Sequence, residues 1–347
     1  MFKMSGLNPE KERKALTLHK EATVIDFHCD TLKEVVEWPR IRAPLTTRRK
    51  LGERNDLGHL DLPRLKKGGV DCQVFAVFCT REPRPQDAAF WLLDAFYQAL
   101  KRNPDKLMLA LNASDIRKAE AQGKVAGLLS IEGGEPLLGN LASLRMFYRM
   151  GVRAMGLTWS LRNEIGNGSG ERRPTGGLTD FGISVVEEMN RLGMLVDVSH
   201  LNDQGFWDVV ETNKGPFIAS HSNCRELCGV SRNLTDDMIR ALADRGGVMG
   251  MNFLPFFIIP REELRAGKKA TVTSLVDHID RIVGLVGPDY IGLGSDYDGI
   301  PYPPDGLEDA SKVHNITLEL VKRDYSDEDI KKILGGNFLR VIEKILH

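Results

Sequence analysis

Residues 23–30 read Thr23-Val24-Ile25-Asp26-Phe27-His28-Cys29-Asp30, an apolar β-type run that ends in polar side chains. Side chains alternate across a strand, so His28 and Asp30 project to one side and Cys29 to the other. An imidazole and a carboxylate side by side at a strand's end can hold a divalent cation between them. One such pair decides little, because an ordinary strand end reads the same way. The number of later strands that end alike decides more.

Working outward, the short apolar pattern returns at Val70–Cys79, Val125–Ile131, Val152–Trp159, Met194–Ser199, Pro216–Ser220, Gly247–Phe253 and Tyr290–Ser295. Helical periodicity separates most of these runs: Gln86–Arg102, Thr179–Gly193 behind an N-cap threonine, Thr235–Arg245, Thr273–Val286 and a closing helix over Ser326–Leu346. An amphipathic helix precedes the first strand. A polar insertion, about Val36 to Lys67, follows it and carries the basic run Arg48-Arg49-Lys50, expected on a solvated face. Eight strands alternating with helices, without an internal repeat, predict a (β/α)8 barrel of the TIM type, one catalytic domain over residues 1–347 with a helix at each end. A doubly wound sheet would need a nucleotide fingerprint, and Gly292, Gly294 and Gly299 have the wrong spacing for one.

The C-terminal ends of those strands carry His28 and Asp30, Glu132, His200, His221 and Asp296. In a barrel of this kind chemistry sits at that face. A lone histidine after a strand is ordinarily structural; three at matching positions beside three carboxylates predict a metal site. Six ligands exceed the three that one catalytic zinc takes while keeping a position open, so two divalent ions are expected, with Glu132 as the bridge. Three carboxylates would balance two such ions and a bridging hydroxide. Asp296 is the candidate general base toward that hydroxide's parent water.

Composition excludes other classes. The 347 residues carry 47 basic and 48 acidic side chains, 42% apolar and 27% charged residues, so neither nucleic acid nor a membrane surface is an expected partner. No apolar segment is long enough to span a bilayer, and neither a signal peptide nor a lipid-anchor tail is read at the ends. Five cysteines without framework spacing suit a reducing compartment, so a cytoplasmic location is expected. A serine hydrolase has no Gly-x-Ser-x-Gly elbow to stand on.

Phe27-His28-Cys29-Asp30, Glu132-Gly133-Gly134, Ser199-His200, Ser220-His221-Ser222, Arg232-Asn233 and Gly294-Ser295-Asp296-Tyr297-Asp298-Gly299 resemble, in order, the motifs of the membrane (renal-type) dipeptidases. These form peptidase family M19 of the amidohydrolase superfamily. The resemblance runs over about residues 20–345 and continues through Gly299-Ile300-Pro301 to Glu308-Asp309. It implies a distorted, metal-dependent barrel with two zinc ions: His28 and Asp30 on one, His200 and His221 on the other, Glu132 bridging, Asp296 as proton acceptor and Arg232 on the substrate's carboxylate. It implies a metallopeptidase that hydrolyses dipeptides, including those with a C-terminal D-residue. Other branches bridge their metals with a carbamylated lysine from the fourth strand, where this chain has Trp159.

Trp159 is also a departure, because animal members carry a substrate-contacting histidine at that place. An indole N–H donates one hydrogen bond and cannot titrate near neutral pH. If Trp159 lines the pocket, bulky apolar substrate side chains are expected. The rival readings are a related amidohydrolase acting on another amide, such as an N-acyl amino acid, and a catalytically inert metal-binding barrel. The apolar loop Phe253–Ile259 has three readings: a homodimer contact, a pocket wall, or a cover folded over the rim.

Overall fold

The computed structural model describes residues 8–36, 49–173 and 175–346. Among the described residues there are nine strands: β1 (Ile25–Cys29), β2 (Cys72–Phe78), β3 (Leu107–Leu109), β4 (Val125–Glu132), β5 (Val152–Gly156), β6 (Leu195–Asp197), β7 (Ile218–Ser222), β8 (Val248–Met251) and β9 (Ile291–Leu293). Every pairing is parallel, and β2 joins β4 to close the ring in the order β2-β1-β9-β8-β7-β6-β5-β4. This is the expected eight-stranded barrel. The short β3 was not foreseen. It pairs with Val125–Gly127 on the edge of β4 that β5 takes up from Leu129 onward, so it extends the sheet without entering the ring.

Parallel barrel strands are covered on both faces and therefore read as continuous apolar runs. Each residue of β1, β4, β5 and β7 is buried, polar ones included. The intervening helices begin where the chain offers a cap. Thr179 Oγ1 accepts from Gly182 N–H at 3.0 Å, Thr235 Oγ1 from Met238 N–H at 3.2 Å, and Thr271 forms a reciprocal capping box with Ser274.

Several boundaries differ from the sequence reading. β5 stops at Gly156, three residues short of Trp159, and β7 runs on through His221 to Ser222. The closing helix is broken into Asp327–Lys331, a π-turn over Lys332–Gly336, and Asn337–Ile345. The break lies where the helix meets the start of the barrel. A Cβ on Gly335 would stand 2.1 Å from the Thr23 carbonyl oxygen, a distance only glycine permits. Residues 37–48 of the polar insertion, Arg48 among them, lie outside the described residues. Arg49 is not solvated: it is buried, and its Nη2 donates to the Leu60 carbonyl at 2.6 Å and to Asp298 Oδ2 at 3.2 Å. The loop after β8 folds over the rim. Phe253, Pro255, Ile258 and Ile259 are buried, while Leu254 and Phe257 line the mouth.

Candidate active site

The six residues expected as ligands converge at the C-terminal mouth. Glu132, the last residue of β4, divides its oxygens between two groups. Its Oε1 lies 2.9 Å from His200 Nε2 and 3.6 Å from His221 Nε2, while its Oε2 lies 3.5 Å from His28 Nε2. His28 Nε2 is in turn 3.9 Å from Asp30 Oδ1 and 3.9 Å from Asp296 Oδ1. Two clusters can each hold a metal ion: His28, Glu132 and His221; and His28, Asp30 and Asp296. His28 Nε2, Asp30 Oδ1, Glu132 Oε2 and His200 Nδ1 are buried without a hydrogen-bond partner. Buried polar atoms are ordinarily paired, so imidazole nitrogens and carboxylate oxygens left facing one another fit a divalent cation.

Two buried aspartates that the sequence reading passed over hold these groups in place. Asp197, at the end of β6, accepts from the N–H groups of Ser199 and Ser220, each at 2.9 Å, and from Ser220 Oγ at 2.5 Å. With the Ser220 hydroxyl donating to Asp197, its lone pair receives His221 Nδ1–H at 2.7 Å. That fixes the tautomer and leaves the His221 Nε2 lone pair facing His200 Nε2, 2.9 Å away, beside Glu132 Oε1 at 3.6 Å. Asp26, within β1, repeats the device. It accepts from Ser295 N–H at 2.8 Å and from Ser295 Oγ at 2.5 Å, immediately before Asp296. Asn252 Nδ2 donates to Asp296 Oδ2 at 3.0 Å, which turns Oδ1 toward His28. A signal was available for both aspartates. Each stands inside an apolar run, Ile25-Asp26-Phe27 and Val196-Asp197-Val198, where an unpaired carboxylate is costly.

Backbone strain marks the same place. His200 has φ 73° and Asp296 φ 62°, the left-handed region that side chains with a Cβ rarely adopt. Beside them, Gly299 leaves room for the cluster, since a Cβ there would stand 2.1 Å from Asp296 Oδ1 and 2.9 Å from Asp30 Oδ2.

The electrostatics follow from crowding acids and imidazoles into one buried volume. Burial opposes charge on His28, but Glu132, then Asp296 and Asp30, outweigh it and raise the imidazole to about 10. Burial, then the neighbouring Glu132 charge, pushes Asp30 up to about 7. Burial, with Arg232 nearby, lowers His200 to about 4, and burial with His28 nearby carries His221 well below the usual histidine value. The carboxylates hold a proton on His28 while burial keeps His200 and His221 neutral, so the site calls for positive charge among its acids, which a divalent cation would supply in place of the His28 proton.

Above these groups opens a cleft of about 390 Å³. Arg232 lines it, buried, with Nη1 donating to Ser222 Oγ at 2.6 Å and Nη2 to the His221 carbonyl at 2.7 Å, while its Nε has no partner. Burial lowers this guanidinium to about 10, and no carboxylate pairs with it among the described residues. Trp159 lines the cleft too, its ring 6.0 Å from that of His200 and 5.3 Å from that of Phe78. Three cations of the cleft were missed, Lys33, Arg81 and Arg261. Lys33 Nζ reaches Asp30 Oδ2 at 3.0 Å, and the Arg81 guanidinium lies 4.2 Å over the Trp159 ring.

The model of the membrane dipeptidase family, peptidase family M19, matches residues 12–347. The chain belongs to this family. It is therefore a hydrolase of the metallopeptidase class. Among curated proteins it is 33% identical to the dipeptidase aclJ of Aspergillus oryzae over 302 residues, 84% of this chain and 71% of that one. Among solved structures, a metallo-dipeptidase of the same family superposes with a TM-score of 0.85 at 28% identity, covering 94% of this chain and 99% of that one. A Rhodobacter sphaeroides metallopeptidase, solved with a phosphinate mimic of the dipeptide L-Ala-D-Ala, superposes with a TM-score of 0.83 at 27% identity, covering 93% and 99%. No helix among the described residues is long and apolar enough to cross a membrane.

Proposed function

We propose that the chain is a two-metal dipeptidase, with the whole barrel as one catalytic domain and dipeptides, including those with a C-terminal D-residue, as substrates. The observation that carries this reading is Glu132, whose two oxygens face His200 and His221 on one side and His28 on the other. His28 and Asp30 would hold one cation, His200 and His221 the second, and Glu132 both. Zinc suits the mixed imidazole and carboxylate set. When bound, such a pair acidifies a water and polarises the scissile carbonyl. Asp296 takes the proton of the attacking water at Oδ1 and delivers it to the leaving amine, while Asn252 keeps Oδ2 fixed. Arg232 receives the substrate's terminal carboxylate on a guanidinium whose two Nη atoms are already anchored. A dipeptide carries that carboxylate a few bonds from the scissile amide, so a fixed arginine measures substrate length. The cytoplasm is the compartment we propose, consistent with five free, buried thiols.

The test is a panel of L,L and L,D dipeptides beside N-acyl amino acids, with metal content measured on the same sample. Two equivalents of metal and turnover confined to dipeptides are expected, and Glu132→Ala should lose both metal and rate. One ion with full activity defeats the bridged centre; turnover of N-acyl amino acids alone moves the activity to another amide.

A further inference from the structure

The cleft holds more guanidinium than one terminal carboxylate can use. Arg81, Arg232 and Arg261 all line it, and none has a carboxylate partner among the described residues. The nearby carboxylates Asp30, Glu132 and Asp296 are taken up by the cluster below. Arg81 and Arg232 stand across the barrel from one another. In the ring, β2 is four strands from β7 in either direction. Arg232 is tied to β7 through Ser222 and His221, and Arg81 follows β2 by three residues.

With the substrate's carboxylate on Arg232 and its scissile amide over Glu132 and Asp296, the side chain of the first residue points toward the exits of β2 and β5. There Phe78 and Trp159 meet edge to face, and Arg81 covers one face of the indole. A bulky apolar side chain, the expectation from Trp159 alone, finds that face occupied by a cation. A basic side chain meets like charge. A short methylene stem ending in a carboxylate suits the place: the stem would lie along Phe78, and the carboxylate would meet the Arg81 guanidinium where it rests 4.2 Å over the indole.

We propose that Arg81 is a specificity-determining residue that selects dipeptides whose first residue is glutamate or aspartate. The inference rests on the dipeptidase reading, with Arg232 at the other end of the substrate.

The experiment compares kcat/KM for Glu-Ala with Gln-Ala, and for Ala-Glu with Ala-Gln, in the metal-loaded protein. Glu-Ala should exceed Gln-Ala by about tenfold, the scale of one charge-assisted hydrogen bond in a partly open site. Arg81→Met should bring that ratio near one, and Arg81→Glu should shift preference toward Lys-Ala. Arg84→Met removes an exposed arginine paired with Asp87 at 3.0 Å, outside the cleft, and should keep the wild-type ratio. Equal rates for Glu-Ala and Gln-Ala, or a ratio that survives Arg81→Met, overturn the assignment alone. So does a preference for Ala-Glu without one for Glu-Ala, which would put the second anion beside Arg261. If no dipeptide is turned over, the dipeptidase reading falls and this inference with it.

Discussion

At the N-terminal end of the barrel, Ile25, Phe27, Val74, Leu128, Ile218 and Val248 form a dry plug against Phe338 of the closing helix. A few residues further along the same strands, the mouth holds buried carboxylates, imidazole nitrogens without partners and the left-handed residues His200 and Asp296. Phe27 stacks on Phe338 with ring centroids 4.2 Å apart, whereas His28, the next residue, faces three carboxylates within 3.9 Å. One strand therefore supplies both kinds of environment, and the change falls where the register of β1 against β2 shifts between Asp26 and Cys29. The plug supplies the free energy that allows the mouth to stay unsatisfied.

Breaking each end should give opposite signatures. At the mouth, Asp296→Asn should lower kcat by about 10²–10⁴, the range for a general base, while the melting temperature of the metal-free protein holds or rises because one of several crowded carboxylates is gone. Normal turnover with normal metal content would remove Asp296 from the chemistry. At the plug, Phe338→Ala should cost about 3–5 kcal/mol in urea unfolding and leave kcat/KM per folded molecule unchanged. A loss of turnover there would mean the two ends are coupled. Between these, Arg232→Met should cost about 2–4 kcal/mol in kcat/KM, and amidating the dipeptide's C-terminus should cost the wild type the same and the variant little more. Additive losses would separate Arg232 from the carboxylate.

The smallest effect concerns a charge at the closed end. Asp71 Oδ2 accepts from Val24 N–H at 2.9 Å, and burial raises its carboxyl from 3.8 to about 6. Between those pH values the unfolded chain gives up the proton while the folded chain keeps it, so stability falls as pH rises through that window and is level above it. Asp71→Asn keeps an acceptor for Val24 and removes the titration. Its stability relative to wild type should therefore be about 1–2 kcal/mol better at pH 8 than at pH 4, read from urea midpoints. No difference between the two would show that solvent already relieves the ionised form.

The barrel was legible because strands covered on both faces have to be apolar throughout, and because glycine and capping residues mark where they turn. The convergence of His28, Asp30, Glu132, His200, His221 and Asp296 was legible because polar residues at the ends of such runs have one mouth to meet at. Asp26 and Asp197 were passed over as parts of strands, although a carboxylate inside an apolar run announces a partner. Arg81 and Lys33 carried no signal: cations just beyond strand ends are ordinarily solvated, and only the closed ring brings them to the cleft. The π-turn at Lys332–Gly336 depends on how closely Gly335 approaches Thr23, a contact spanning the length of the chain.

The ring is sealed by its first and last strands: Asp26 of β1 is in register with Leu293 of β9, and Cys29 bridges to Tyr297. During synthesis on the ribosome, His28 and Asp30 emerge long before Asp296, the third member of their cluster. Until β9 arrives, β1 offers an open edge and Asp26 lacks its Ser295 partner. The centre can therefore mature only after nearly the whole chain has left the exit tunnel, and a metal taken up earlier would sit among an incomplete set of donors.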